Sequence, residues 1–299
     1  MSVISLNFNV MKKSLIACLA LIGMIFSSCE DFFYKTIDIE SEDFPPGIAL
    51  SAIWKFPTND DNPLIVSEAL AVLDRAPKLI PKSTLTIYKN DALAQEIEIT
   101  DGLGSVKSFS ADPGERVRIT LEVPGYQKLE AEQTVPDSTR ILDVKFTRDT
   151  TVKLFGLEDI DLFEVRIQDD PGRPNYYRAQ ARYIFDRGAA GLDTSHFIAL
   201  TPEFANRENQ SDLISDEIFN GREFVLTFYD FGTFSTDPKY VFLELIQVTR
   251  DYYLNRESQA LSEIANGNPF AEPVILHQNV RQGQGIFALS YATEWLILR

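Results

Sequence analysis

The sequence predicts a mainly β protein: an N-terminal β-sandwich followed by a second β-rich domain with one prominent helix. Three observations carry that prediction. Residues 116–123 alternate strictly, with Val117, Ile119, Leu121 and Val123 on one side and Arg116, Arg118, Thr120 and Glu122 on the other. That period of two marks a strand with one face buried and one wet. Short apolar runs recur between turn-forming clusters every 8–12 residues or so, the rhythm of a sandwich. Only one stretch, about 250–265, has helical spacing with a start at Thr249 and a stop at Asn266-Gly267 before Pro269.

The chain opens differently. Met11-Lys12-Lys13-Ser14 precedes an apolar run from Leu15 to Phe26, then Ser27-Ser28-Cys29. A basic start, a short apolar core and small residues at its end make a secretory signal. A membrane span needs about 20 apolar residues, and this run stops short at Glu30-Asp31. The small-small-Cys ending resembles the bacterial lipobox, in which the cysteine is acylated (palmitate is such a chain) and becomes the new N-terminus. Residues 1–28 are therefore expected to leave and Cys29 to anchor the chain. The alternatives are an ordinary signal with a free Cys29, or a buried N-terminal helix. Met1 to Val10 lack charge and read as a mis-assigned start ahead of Met11, a longer n-region being the alternative. Two acyl chains anchor stably where one is marginal, at roughly 0.8 kcal/mol per buried methylene.

The two cysteines of the chain are Cys18 and Cys29. Loss of the first and acylation of the second would leave no disulfide and no cysteine-based zinc site, so the fold must rest on its core. The whole chain carries −16; removing the two signal lysines leaves 26 basic residues against 44 acidic, or −18. That balance argues against nucleic acid as a partner.

Residues 29–46 are acidic and end in Pro45-Pro46-Gly47, which reads as a tether. Strands follow at 48–56, 64–69, 84–88, around Ile97 and Ile99, and at 116–123, placing the first domain at 47–150. The second domain, 151–299, has strands at 162–167, 176–185, 223–229, 240–248 and 286–298. An exposed turn is expected at 169–174. The helix is expected to pack through Tyr253, Ala260, Leu261 and Ile264. Gly283-Gln284-Gly285 reads as a bulge or tight turn.

Chemistry is sparse. His196 follows Asp193-Thr194-Ser195, but neighbours on an extended segment point in alternate directions and cannot make a triad. His277 has no acid or cysteine near it in sequence. Asn59-Asp60-Asp61-Asn62 lacks the ligand spacing of a calcium loop. No catalytic, metal or cofactor residues are assigned. Tyr176, Tyr177, Tyr252 and Tyr253 are the candidate binding aromatics, each offering a stacking face and a hydroxyl, with packing inside the fold as the alternative use.

Two sets of motifs carry a resemblance. Pro113-Gly114-Glu115, a strand, then Pro124-Gly125-Tyr126 resembles the end of immunoglobulin-like or transthyretin-like modules of exported bacterial proteins, with Tyr126 covering the sandwich edge. Asp216 to Gly221, Tyr252-Tyr253, Gly267 to Pro273, Asn279-Val280 and Gly283 to Phe287, with Asp170 to Gly172 and Asn175 to Tyr177, come in that set behind the lipobox-like ending. Together they resemble the lipoprotein family described as domain of unknown function 4249. The resemblance implies an outer-membrane lipoprotein of the cell envelope, at the surface or the periplasmic face. It also implies a non-enzymatic ligand- or partner-binding role, accessory to a TonB-dependent transporter. A structural or adhesive surface protein is the alternative. A hydrolase with two carboxyl groups roughly 5–10 Å apart is the third reading.

Overall fold

The structure, a computed structural model, describes residues 47–58, 61–69, 78–152, 157–185, 192–200, 212–230, 238–266, 271–272 and 274–297. The expected signal, Cys29 and the tether lie outside the described residues, as do Asn59 and Asp60. The folded unit is Pro46–Arg299.

Alternation dictates the first strands: β1 (Ile48–Phe56), β2 (Asn62–Glu68), β3 (Lys82–Lys89), β4 (Ala92–Thr100), β5 (Leu103–Val106), β6 (Arg116–Glu122) and β7 (Leu129–Thr134). In β1, Ile48, Leu50, Ala52, Trp54 and Phe56 point inward and the residues between them outward. Val117, Ile119 and Leu121 of β6 do the same. Tyr126 packs against this core, and Tyr126 N–H donates to the Val123 carbonyl at 3.1 Å to close the Pro-Gly turn.

The second set is β8 (Arg140–Val152), β9 (Leu157–Gln168), β10 (Tyr176–Phe185), β11 (Leu192–Leu200), β12 (Ile214–Ser215), β13 (Glu223–Asp230) and β14 (Tyr240–Val248), followed by α1 (Arg250–Asn266) and β15 (Gln284–Ile297). Ile141, Val144 and Phe146 of β8 already pack on the second core. Val135 lies in the first core, so the chain passes from the first core to the second between Val135 and Ile141.

One hydrogen-bonded path runs β7-β6-β3-β4-β5-β2-β1-β15-β14-β10-β11-β13-β9-β8. The β1–β15 pair is its parallel step, and the other recorded pairs are antiparallel. The path is continuous but the core is not. Phe287 and Leu289 of β15 lie in the first core, while Trp295 and Ile297 pack on the second. The last strand is therefore part of both halves.

The glycines before β15 are explained by this pairing. A Cβ on Gly285, where φ is +106°, would sit 2.0 Å from the Leu50 carbonyl oxygen. The expected bulge is a site where two backbones come too close for any side chain.

Helix α1 lies over the outer face of β14 and β15, in a small cluster of Ile246, Val248, Ile286, Ala288 and Tyr252. The helix face is as expected at Tyr253, which packs against this cluster, but Leu261 and Ile264 are 42% and 52% exposed, and Tyr252 and Asn255 are the buried positions. Thr249 also differs. Its carbonyl accepts from Tyr253 N–H at 3.1 Å, but its hydroxyl accepts from Leu289 N–H at 3.4 Å, binding the helix start to β15.

Phe287 stacks edge-on to Trp54 at 5.1 Å between ring centroids, within the first core. Truncating it leaves a cavity, so Phe287→Ala should cost about 3–5 kcal/mol. Urea unfolding followed by Trp54 fluorescence in a Trp295→Phe background checks this; a loss below 1 kcal/mol or so would remove β15 from the first core.

Candidate functional site

A cleft of about 430 Å³ opens where the two halves face each other. One wall is the end of β7, from Glu132 to Thr134. The other is the turn before β10, with Arg173, Asn175 and Tyr176. The end of β14 and the start of α1 form its base.

The turn wall is held by a buried polar network. Asn175 is at its centre: its backbone N–H donates to Asp216 Oδ2 at 2.9 Å, and its side-chain amide donates to the Asp170 and Arg173 carbonyls, each at 3.0 Å. Gln247 donates to Asn175 Oδ1, and the Tyr177 hydroxyl donates to Asp169. Asp169 also accepts from Gly221 N–H at 2.7 Å. Gly221 has φ +74° and approaches Pro171 so closely that a Cβ would lie 2.7 Å from Pro171 Cβ. Burial pushes the Asp216 carboxyl up from its ordinary value, and the neighbouring Asp169 adds to this; hydrogen bonds from Asn175 oppose it. Burial, with help from the Asp169 hydrogen bond, likewise pushes the Tyr177 hydroxyl up, so it stays a donor.

The motifs Asp170 to Gly172, Asn175 to Tyr177 and Asp216 to Gly221 thus form one clasp. The turn expected to be solvent-exposed is so only at Asp170 to Pro174, while Asp169 is 2% exposed. An Arg173–Asp137 ion pair joins this turn to the segment between the halves.

At the base of the cleft, Asp251 on α1 accepts from Gln133 on β7 at 2.6 Å, contacts His277 Nε2 at 2.6 Å, and accepts from Asn279 at 3.2 Å. Burial alone would raise this carboxyl, but those hydrogen bonds outweigh it and hold Asp251 below its ordinary value. Residues 274–283 cross the helix as a strap: Asn255 donates to the His277 carbonyl at 2.7 Å, and His277 N–H to Ser258 Oγ at 2.8 Å.

His277 therefore does have an acid beside it, brought from 26 residues away. Ser258 is close as well. Its hydroxyl proton goes to the Asn255 carbonyl at 2.9 Å, and its oxygen takes the His277 main-chain N–H. Serine, histidine and aspartate meet here as a structural tie.

The four candidate tyrosines separate. Tyr177 is in the second core with its hydroxyl in the clasp. Tyr252 is 6% exposed and its hydroxyl accepts from Arg178, which also pairs with Asp212. Tyr176 and Tyr253 stack on each other at 4.6 Å, and Tyr176 lines the cleft. So Tyr176 keeps a face at the cleft, while Tyr177 and Tyr252 are buried within the fold. His196 pairs with Ala181 in the β10–β11 ladder. Asn62 is buried and accepts from Lys55 N–H at 3.0 Å. No group of three or more metal-ligating side chains occurs among the described residues.

Because the folded pKa of Asp251 is depressed, its stabilisation is complete above the ordinary value of 3.8 and is lost as pH falls through the lower folded value. Asp251→Asn cannot titrate. The wild-type advantage over this variant should shrink below about pH 4, read by thermal melting across that range. A difference that stays flat down to about pH 2.5 contradicts it. Removing the clasp's centre with Asn175→Ala should cost about 1–3 kcal/mol by leaving buried partners unpaired, measured by denaturant titration.

No curated protein matches the chain. Among solved structures, it is similar to a two fibronectin type-III domain segment from chicken tenascin, at 11% identity and a TM-score of 0.21, over 68% of this chain and 91% of that one. A β-glucuronidase from glycoside hydrolase family 2 is similar at 10% identity and a TM-score of 0.21, over 68% of this chain and 18% of that one. The model of one protein family matches residues 35–294, and on that match the chain belongs to the family described as Domain of unknown function (DUF4249).

Proposed function

We propose that the protein is an envelope lipoprotein, anchored to the outer membrane through Cys29, that binds a partner or ligand without chemistry of its own and serves a TonB-dependent transporter. The observation that carries the binding role is the state of the reactive groups in the cleft and under the strap beside it. Asp251 is engaged by three neighbours, Ser258 by the main chain, and Arg173 by Asp137. Groups tied in this way present a fixed polar surface rather than a poised acid, base or nucleophile. The anchoring role is supported by the lipobox-like ending at Cys29 and the acidic stretch behind it. The transporter role is supported by what the family resemblance implies.

Two measurements test this. Intact mass of the membrane-extracted chain should show cleavage before Cys29 and an acyl mass increase, both lost in Cys29→Ser. Affinity purification of the full chain from detergent-solubilised envelopes should then bring down an outer-membrane transporter. An unmodified Cys29 overturns the anchor, and a chain purified free of any transporter overturns the accessory role.

A further inference from the structure

Strand β7 is one end of the hydrogen-bonded path, and its free edge is only partly used. The Glu130 N–H and carbonyl both pair with Arg281 of the strap, at 3.2 and 2.8 Å. The Val135 N–H and carbonyl face the other way, to Glu115 and Gly114, at 2.9 and 3.0 Å. Since backbone groups alternate along a strand, the even residues of β7 face outward. Glu132 and Thr134 therefore point their N–H and carbonyl groups away from β6. Among the described residues no backbone partner meets them, and both residues line the cleft.

The opposite end of the path is different. β8 pairs with β9 through three breaks in register, at 141/143, 147/150 and 150/152, and carries Arg140, Asp143, Lys145 and Arg148. Bulges and charges of this kind blunt an edge against pairing. β7 has neither bulge nor break beside β6. Where its edge would meet a neighbour it meets a single strap residue, and beyond that no described residue pairs with its backbone.

We propose that this edge receives an extended peptide segment of a partner protein, which adds to β7 at Glu132–Thr134 inside the cleft. The Arg281 bridge is the same contact already made within the chain. A cleft of about 430 Å³ is in the size range of pre-formed sites, roughly 300–1,000 Å³, and takes a few residues of a strand at the usual spacing of about 4.8 Å. Main-chain pairing would supply the attachment and the cleft walls the selection. Those walls favour a basic segment. Glu132 shares Arg116 with Asp91, so that trio keeps one negative charge; Asp251 is acidic, Arg173 is neutralised by Asp137, and Arg250 is the remaining cation. The partly buried ring of Tyr176 offers a face to a lysine or arginine side chain.

The inference deepens the binding role proposed above and names its partner's chemistry, but its test needs neither lipid nor transporter. The probe is a fluorescent octapeptide of alternating valine and lysine, added to the full chain in detergent micelles and followed by anisotropy. Thr134→Pro removes an outward N–H where proline is tolerated, on an edge strand. It should weaken binding by at least about tenfold while Thr134→Ala stays near wild type. Methylating alternate amide nitrogens of the peptide should weaken binding comparably, and this arm holds even if Thr134→Pro fails to fold. An alternating valine–glutamate octapeptide should bind more weakly than the lysine one. No binding of the lysine peptide, or equal binding by its methylated form, overturns the proposal; so does equal binding by a folded Thr134→Pro. A Cys29 found unmodified would overturn the anchor while leaving this result standing.

Discussion

Everything in this fold depends on one strand serving two cores. Residues 284–291 of β15 pair in parallel with β1, and residues 290–297 pair antiparallel with β14, so the two ladders overlap only at Ser290 and Tyr291. A strand of 14 residues spans roughly 47 Å at about 3.4 Å per residue, longer than either core requires. The same face of the strand therefore meets the two cores in turn, Phe287 and Leu289 in the first and Trp295 and Ile297 beyond it. The other face carries Ile286, Ala288 and Ala292 beneath α1. Ser290 Oγ donates to the Trp54 carbonyl at 3.2 Å where the ladders change over. Separating the halves would mean breaking backbone pairing along one of them.

The cleft is the counterpart of that splint. A shared strand holds the halves together along one line and leaves a gap elsewhere. The gap is bounded by interactions of different kinds: the Arg173–Asp137 pair, the Asn175 clasp, and the Gln133–Asp251 hydrogen bond that links β7 to the helix. The carboxyls in these ties are set in opposite senses. Asp216, buried near Asp169, is raised; Asp251, with three donors around it, is lowered. Burial raises both, and the neighbour differs in sign: Asp169 adds to the rise at Asp216, whereas His277 helps to lower Asp251. At neutral pH Asp251 contributes stability through its charge, whereas charging Asp216 works against folding.

What could be read from the sequence was local. The bounds of β1 and β6 follow from period-two alternation alone, because each has one wet face and one dry face. The helix bounds follow from its stop at Asn266-Gly267. Its packing face does not, because Leu261 and Ile264 fit the helical spacing but lie beyond the sheet that Tyr252 reaches. Gly285 could be marked as unusual, but its reason, the Leu50 carbonyl, lies 235 positions earlier in the chain. The cleft was less legible still. Asp251, Gln133 and His277 are ordinary surface letters until a helix, a strand and a strap are brought together. Of the four tyrosines, alternation rightly set Tyr176 and Tyr177 on opposite faces, but it could not say which ring would meet the cleft.

The position of β7 also answers an objection to any free sheet edge. An exposed edge invites pairing between molecules, which folded proteins suppress with charges, bulges or covers. Beyond the charge of Glu132, the outward groups of Glu132 and Thr134 carry no bulge or backbone cover among the described residues. They are recessed instead: the strap pairs the preceding residue Glu130, and the turn at Arg173 to Tyr176 stands opposite. A flat sheet edge from a second globular protein would need to enter this slot, while a single extended segment already has the right thickness. Fixing both walls beforehand also lowers the ordering cost of binding. The clasp and the Asp251 tie therefore act on recognition through rigidity, and Asp251 also adds its charge to the cleft wall.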